Sequence, residues 1–303
     1  MEITQQSLTQ AVHLSEAEWR SREEAHHAQL KPFLDAHLAR KHRSVAHPVH
    51  DFLFEYYNFR PAQLLRWSPG MHVYLDGPAE AFLEHRHFKD GPQGIGLYPD
   101  SVPERRCASA KWIAHLLEST ASRAPFFGCM GLHEWAMVYN AQDVRHPKFP
   151  LRMPHHELVA FVDQSQICCS HFDAFRFFSK EAISMNSLQP DGDSRAKFEQ
   201  PGCLHVNMDL YKWAHKLSPW IESELIAEAF WLAVDAREMD MRASPYDVRS
   251  LGYEPIEIET DAGRKTYTAM QQAIWKKGQP LRARLIIAIH RLLALVPPAP
   301  DLV

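Results

Sequence analysis

The sequence lacks any uninterrupted apolar run of about eighteen residues, the length a membrane-spanning helix needs. Its first ten residues are polar and contain no apolar core, so a secretory signal is not expected. Cysteine is scarce and odd in number, five residues with no CxxC pair, which excludes a disulfide framework and a four-thiolate zinc site. The thiols are expected to be small buried hydrophobes. There is no HExxH. ExxH occurs three times, at Glu23–His26 and Glu24–His27 within one charged segment and at Glu84–His87, which lies in no expected helix. A ferritin-like dinuclear centre needs such motifs on two helices. GxSxG and the Walker phosphate loop are missing, and no cysteine motif ties a thiol to a histidine. The only GxG, within DGPQGIGLYPDSVP (residues 90–103), does not follow a strand with GxGxxG spacing, so a dinucleotide fingerprint is rejected.

What remains is an ordinary globular composition, 46% hydrophobic and 23% charged, in 303 residues. The expectation is a soluble, cytoplasmic protein folded as one globular domain over residues 1–303, with flexible ends at 1–14 and 297–303. A formal net charge of −4 argues against a general nucleic-acid binder, yet leaves room for a local basic cleft. Histidine (19) and tryptophan (8) are abundant and suit a pocket for planar or polar groups.

Helical periodicity dominates. Ser15 with Glu18 forms a capping box ahead of a helix over 15–41, where Pro32 kinks or divides it. Pro61 opens a short helix. Further helices are expected at 104–122, 126–140, 204–217, 221–242, 264–277 and 281–295. Strands are expected at 71–76, 157–162 and 253–260. Residues 90–103 and 185–201 read as loops, the latter exposed. The fold class is therefore mainly α: a single multi-helix domain with a few short β-strands.

Five segments set His, carboxylate and aromatic residues into apolar surroundings: HPVHDFLFEYYNFRP (47–61), GLHEWAMVY (131–139), CCSHFDAFRFF (168–178), CLHVNMDLYKW (203–213) and DMRASPYD (240–247). Burying such groups without partners costs roughly 1–3 kcal/mol each, so their recurrence predicts paired networks. His205 and Asp209 stand at i, i+4 with Lys212 three further on, which places all three on one helix face. His133, His171, His205 and Asp209 form a candidate set of ligands for a single metal ion drawn from separate helices.

Four stretches, HPVHDFLFEYYNFRPAQLLRW, CCSHFDAFRFF, EQPGCLHVNMDLYKW and MRASPYDVRSLGYEP, resemble a family of bacterial proteins that carries the label 3-methyladenine DNA glycosylase. The likeness extends over most of the chain. It implies a base-removing hydrolase of DNA repair, acting on nucleic acid or a nucleoside, with no cofactor. Such an enzyme stacks an extruded base on aromatic rings and sets a carboxylate beside the sugar. Glu134 and Asp173 are then the candidate catalytic carboxylates, expected near one pocket. Tyr56, Tyr57, Trp135, Tyr211 and Trp213 are candidate stacking residues, and Arg176, Lys212 and Arg242 candidate phosphate contacts. The alternative is a metal-dependent enzyme of small-molecule metabolism that holds iron or zinc on His133, His171, His205 and Asp209.

Overall fold

The computed structural model describes residues 10–142 and 144–296. The protein is mainly α: among the described residues there are twelve helices and a four-stranded sheet, 57% helical and 6% strand. Residues 1–9 and 297–303 of the expected flexible ends lie outside the described residues. Val12–Leu14 is no loose end, for it forms strand β1 and pairs parallel with β2, Val73–Leu75.

Helix α1, Glu16–His42, starts on the capping box read from the sequence. Ser15 Oγ accepts from the Glu18 N–H, and Glu18 Oε2 accepts from the Ser15 N–H at 2.9 Å. Pro32 neither ends nor divides α1, which buries one narrow stripe through Trp19, His26, Leu30, Leu34 and His37. Two short helices follow, α2 (Phe52–Glu55) and α3 (Pro61–Leu65), and α3 has its proline in the first turn as expected.

Residues 90–103 are not simply a loop. Strands β3 (Phe88–Gly91) and β4 (Gly94–Leu97) form a hairpin there, and the sheet order is β1-β2-β4-β3. Glycine is needed at position 96, where a Cβ would lie 2.7 Å from the Tyr74 ring and 2.8 Å from the Val73 carbonyl. A strand built on such glycines carries no alternating side-chain signal.

Helix α4, Glu104–Ala121, matches its expected position. Helix α5 is shorter than expected, Leu132–Val138. Residues 157–162 belong to helix α6, His155–Asp163, not to a strand: Pro154 caps it, and Leu158 and Val162 bury one face at i, i+4 spacing. Short helices α7 (Phe172–Phe175), α8 (Lys180–Ile183) and α9 (Arg195–Phe198) follow. The segment 185–201 is not a fully exposed loop. Asn186, Glu199 and Gln200 are buried, and Asn186 bonds both the N–H and the C=O of Cys169.

The centre of the molecule is helix α10, Leu204–Lys216, packed on α11, Ser223–Ala243. Eleven of the thirteen α10 residues are buried, His205, Asn207 and Asp209 among them. An all-round buried helix with polar residues must satisfy them from its neighbours. Residues 253–260 do not form a ladder. Ile256 and Ile258 alternate inward, but the segment is tied to α11 through Arg242, whose carbonyl accepts from the Ile256 N–H and whose Nε donates to the Glu254 carbonyl. The two closing helices expected at 264–277 and 281–295 are one, α12, Asp261–Leu295, continuous through Pro280. Gly278 lets α12 press on α10: a Cβ there would sit 2.1 Å from Asn207 Oδ1, the atom that accepts from Arg282 Nη2 at 2.9 Å.

Candidate functional site

The histidines and carboxylates of α5, α7, α10 and α11 converge on one buried polar network with two halves. In the first, α5 supplies His133 and Glu134, and α11 supplies Arg237 and Asp240. A turn with two left-handed residues, Met130 (φ 47°) and Gly131 (φ 75°), precedes α5. Beside it Cys129 Sγ lies 3.4 Å from His133 Nδ1. This thiol–imidazole contact corrects the expectation that no cysteine is tied to a histidine. His133 Nε2 lies 2.7 Å from Asp240 Oδ1. Arg237 Nη1 donates to Glu134 Oε1 at 2.7 Å and to Asp240 Oδ2 at 2.6 Å. Burial works against a charged His133, but the Asp240 carboxylate outweighs it and holds the imidazole proton well above its ordinary range. Burial likewise opposes an ionised Asp240, and the charges of His133 and Arg237 with the His133 hydrogen bond overcome it, so its carboxyl is held far below the usual range. Glu134 is pushed up by burial and by the Asp240 charge, against the pull of Arg237.

The second half is built from α7, α9 and α10. Lys212 Nζ donates to Asp173 Oδ2 at 2.6 Å and to Asp209 Oδ2 at 3.0 Å. Arg195 Nη2 donates to Asp173 Oδ1 at 2.6 Å, and the Tyr57 hydroxyl donates to Asp209 Oδ1 at 2.8 Å. His171 Nε2 stands 3.2 Å from Asp209 Oδ2 and 3.9 Å from Glu199 Oε1. Although burial opposes it, these cations and donors hold Asp173 and Asp209 ionised, far below the usual carboxylate range. Burial raises Glu199. His205 joins the halves: its ring meets His133 edge-on at 4.5 Å and lies nearly parallel to His171 at 5.3 Å. Burial keeps it neutral. The face of α10 read from the sequence, His205, Asp209 and Lys212, therefore does point into the network.

A cleft lies over the second half, and a groove adjoins it. The cleft, about 360 Å³, is walled by Tyr56, Phe59, Trp112 and Trp213 and by the cations Arg176, Arg195, Lys212 and Lys216. Asp173 is its one lining carboxylate. The neighbouring groove, about 390 Å³, shares Phe59 and Lys216 with it. Arg66, Arg86, Arg105, Arg106 and Lys216 line this groove with His85, His87 and His215, and no Asp or Glu does. Among the described residues none of those five cations lies within 4.0 Å of a carboxylate.

Of the expected site residues, the structure brings Asp173, Tyr56, Tyr57, Arg176, Lys212 and Trp213 to the cleft. Tyr57 is mostly covered, its hydroxyl spent on Asp209. Trp135 and Tyr211 are fully buried and cannot stack a ligand; Trp135 donates its indole N–H to the Ala243 carbonyl. Arg242 is engaged by the Glu254 carbonyl and Glu238 and lines neither hollow. Glu134 faces Arg237, in the other half of the network from Asp173. Sequence reasoning missed Arg237 as a partner and Asp240 as a ligand candidate. Their signal was a charged pair at i, i+3 in α11, but Asp235, Glu238 and Arg242 beside it made it look like an ordinary solvated face. It also missed Arg195 and Glu199, which arrive on a segment read as exposed, and Trp112, an exposed ring at 44% that faces Trp213 at 5.3 Å. Comparison with protein-family models, with curated proteins and with solved structures finds no match.

Proposed function

We propose that the protein is a hydrolase that removes a base from a nucleic-acid strand or a nucleoside. The observation that carries the reading is the basic groove without acidic residues, continuous with an aromatic cleft, on a chain whose net charge is −4. Unpaired cations gathered along one groove attract phosphates, and rings beside them stack bases. Tyr56 and Trp213 keep the stacking role expected of them, and Trp112 takes the place of Trp135 and Tyr211. Breaking the bond between the base and the sugar carbon puts positive charge on the sugar, while water adds to that carbon and the base departs with a proton. In this reading Asp173 is the carboxylate beside the sugar, and Lys212 and Arg195 fix its orientation. Glu134, turned to Arg237, takes no part.

The test has two arms. Binding of a fluorescent single-stranded oligonucleotide is measured by anisotropy across a salt series. Release of free base from alkylated DNA and from a methylated nucleoside is followed chromatographically. Engagement of all five groove cations gives a log–log salt slope of roughly −3.5, at about 0.7 per phosphate contact on single strands. Charge reversal at Arg66 and Arg105 flattens that slope, and Asp173→Asn abolishes base release while binding persists. Strand binding insensitive to these reversals, or no base released from either substrate, overturns the reading.

A further inference from the structure

The first half of the network has a feature that base removal does not use. Three buried side chains from three helices, His133 of α5, His205 of α10 and Asp240 of α11, hold potential ligand atoms within 4.8 Å of one another. His205 Nε2 is aimed at Asp240 Oδ2 but stops 3.7 Å short of it, and the ring makes no hydrogen bond among the described residues. Two ligands of a tetrahedral ion, each about 2.1 Å from the metal, stand about 3.4 Å apart. The 3.7 Å between His205 and Asp240 is close to that span, and the 2.7 Å between His133 and Asp240 opens to it with a small movement of one side chain.

We propose that His133, His205 and Asp240 bind one divalent transition-metal ion of the iron(II) or zinc class. Two imidazoles and one carboxylate, with positions left for water or a ligand, suit such ions. The surroundings are arranged accordingly. Cys129 Sγ at the far nitrogen of His133 fixes that ring, as outer partners of metal-bound histidines do. Arg237 is balanced by Glu134, so with neutral imidazoles the set carries the single negative charge of Asp240. The other His/Asp group, His171, Asp173 and Asp209, is equally compact, but the Lys212 ammonium already bridges its two carboxylates. That group offers one imidazole and two carboxylates already engaged by Lys212 and Arg195, whereas the first set offers two imidazoles and one carboxylate whose Oδ1 meets no guanidinium among the described residues, which assigns the metal to the first set and replaces the grouping of His133, His171, His205 and Asp209 with one that contains Asp240.

The experiment uses the untagged full-length protein and no substrate. It is incubated anaerobically with iron(II), or with zinc, freed of unbound ion, and its metal counted per chain. The expected result is close to one ion per chain in the parent and in Asp209→Asn, and at least a tenfold loss of affinity in His205→Ala. His205 makes no hydrogen bond, so this variant is expected to fold, which circular dichroism checks. Should it not fold, the visible spectrum and X-ray absorption of the cobalt(II)-loaded parent decide instead: two imidazole ligands support the assignment, and none overturns it. No bound metal in the parent, equal metal in His205→Ala, or loss on Asp209→Asn alone each overturn it. The count is independent of base release, so a protein that binds the ion yet removes no base would sink the hydrolase reading and leave this one standing.

Discussion

Arg237 is the sharpest place to test the polar network. Its guanidinium is fully buried, bonded to Glu134 and Asp240, and seated 4.0 Å over the ring of Phe52. Arg237→Met keeps much of the packing volume and strands two carboxylates in the interior. Breaking a buried ion pair by deleting one partner costs about 3–5 kcal/mol, because the remaining charge is left without compensation. Part of that cost is recovered by protonation of Glu134, whose carboxyl burial already pushes up. The loss is thus expected near 3 kcal/mol at neutral pH and smaller at pH 5. Arg237→Met combined with Glu134→Gln removes the orphaned charge and should regain at least ~1 kcal/mol, the scale of coupling between contacting residues. Urea denaturation of the parent, both single variants and the double variant gives the four corners of the cycle. A single-variant loss under about 1 kcal/mol, or a double variant no more stable than Arg237→Met, would refute the view that this guanidinium neutralises buried carboxylates.

Acid should destabilise the protein before its carboxylates titrate. Burial lowers His215 and His50 to about 4 and His146 to about 3, so below pH 6.5 the unfolded chain binds protons that the native state refuses, and stability falls as pH drops from 6.5 toward 4. His133, held protonated, acts in the opposite sense above pH 6.5, where its contribution is lost as pH rises. For the well-buried His215 the term is on the order of 3 kcal/mol, and His215→Phe, which keeps the stack on Phe59 at 3.8 Å, should flatten the slope seen in thermal melts between pH 6.5 and 4.5. An unchanged slope would count against this assignment. Gly278→Ala should cost at least 1–3 kcal/mol by overpacking, since its methyl would overlap Asn207 Oδ1, and a denaturation midpoint equal to the parent's would contradict that contact.

Long-period signals carried through from sequence to structure, and short or interrupted ones did not. The capping box at Ser15, the first-turn Pro61 and the i, i+4, i+7 face of α10 depend on residues close in sequence, and each is where the pattern puts it. The β3–β4 hairpin escaped because its strands close on glycines whose role is clearance for Tyr74, a tertiary fact. Helix α6 was read as a strand because a short apolar run fits both periods, and Pro154 decided it. The break expected between residues 277 and 281 does not occur, because packing on α10 carries the helix through Pro280. At the site, the residues of α10 were legible because one helix displays them together. Arg195, Glu199 and Asp240 were not, because their neighbours lie on other elements and only the folded chain brings them into reach.

The burial of α10 on all sides has a consequence for how the site is lost. Amide protons exchange with solvent through local openings where packing is sparse, and only through global unfolding where it is dense. With eleven of thirteen residues covered, α10 lacks a solvent face on which to fray, so its amides should be among the last to exchange. His205, Asp209 and Lys212 ride on that helix. α10 is therefore expected not to slip while the rest stands, and these three side chains should keep their places until the fold itself is lost.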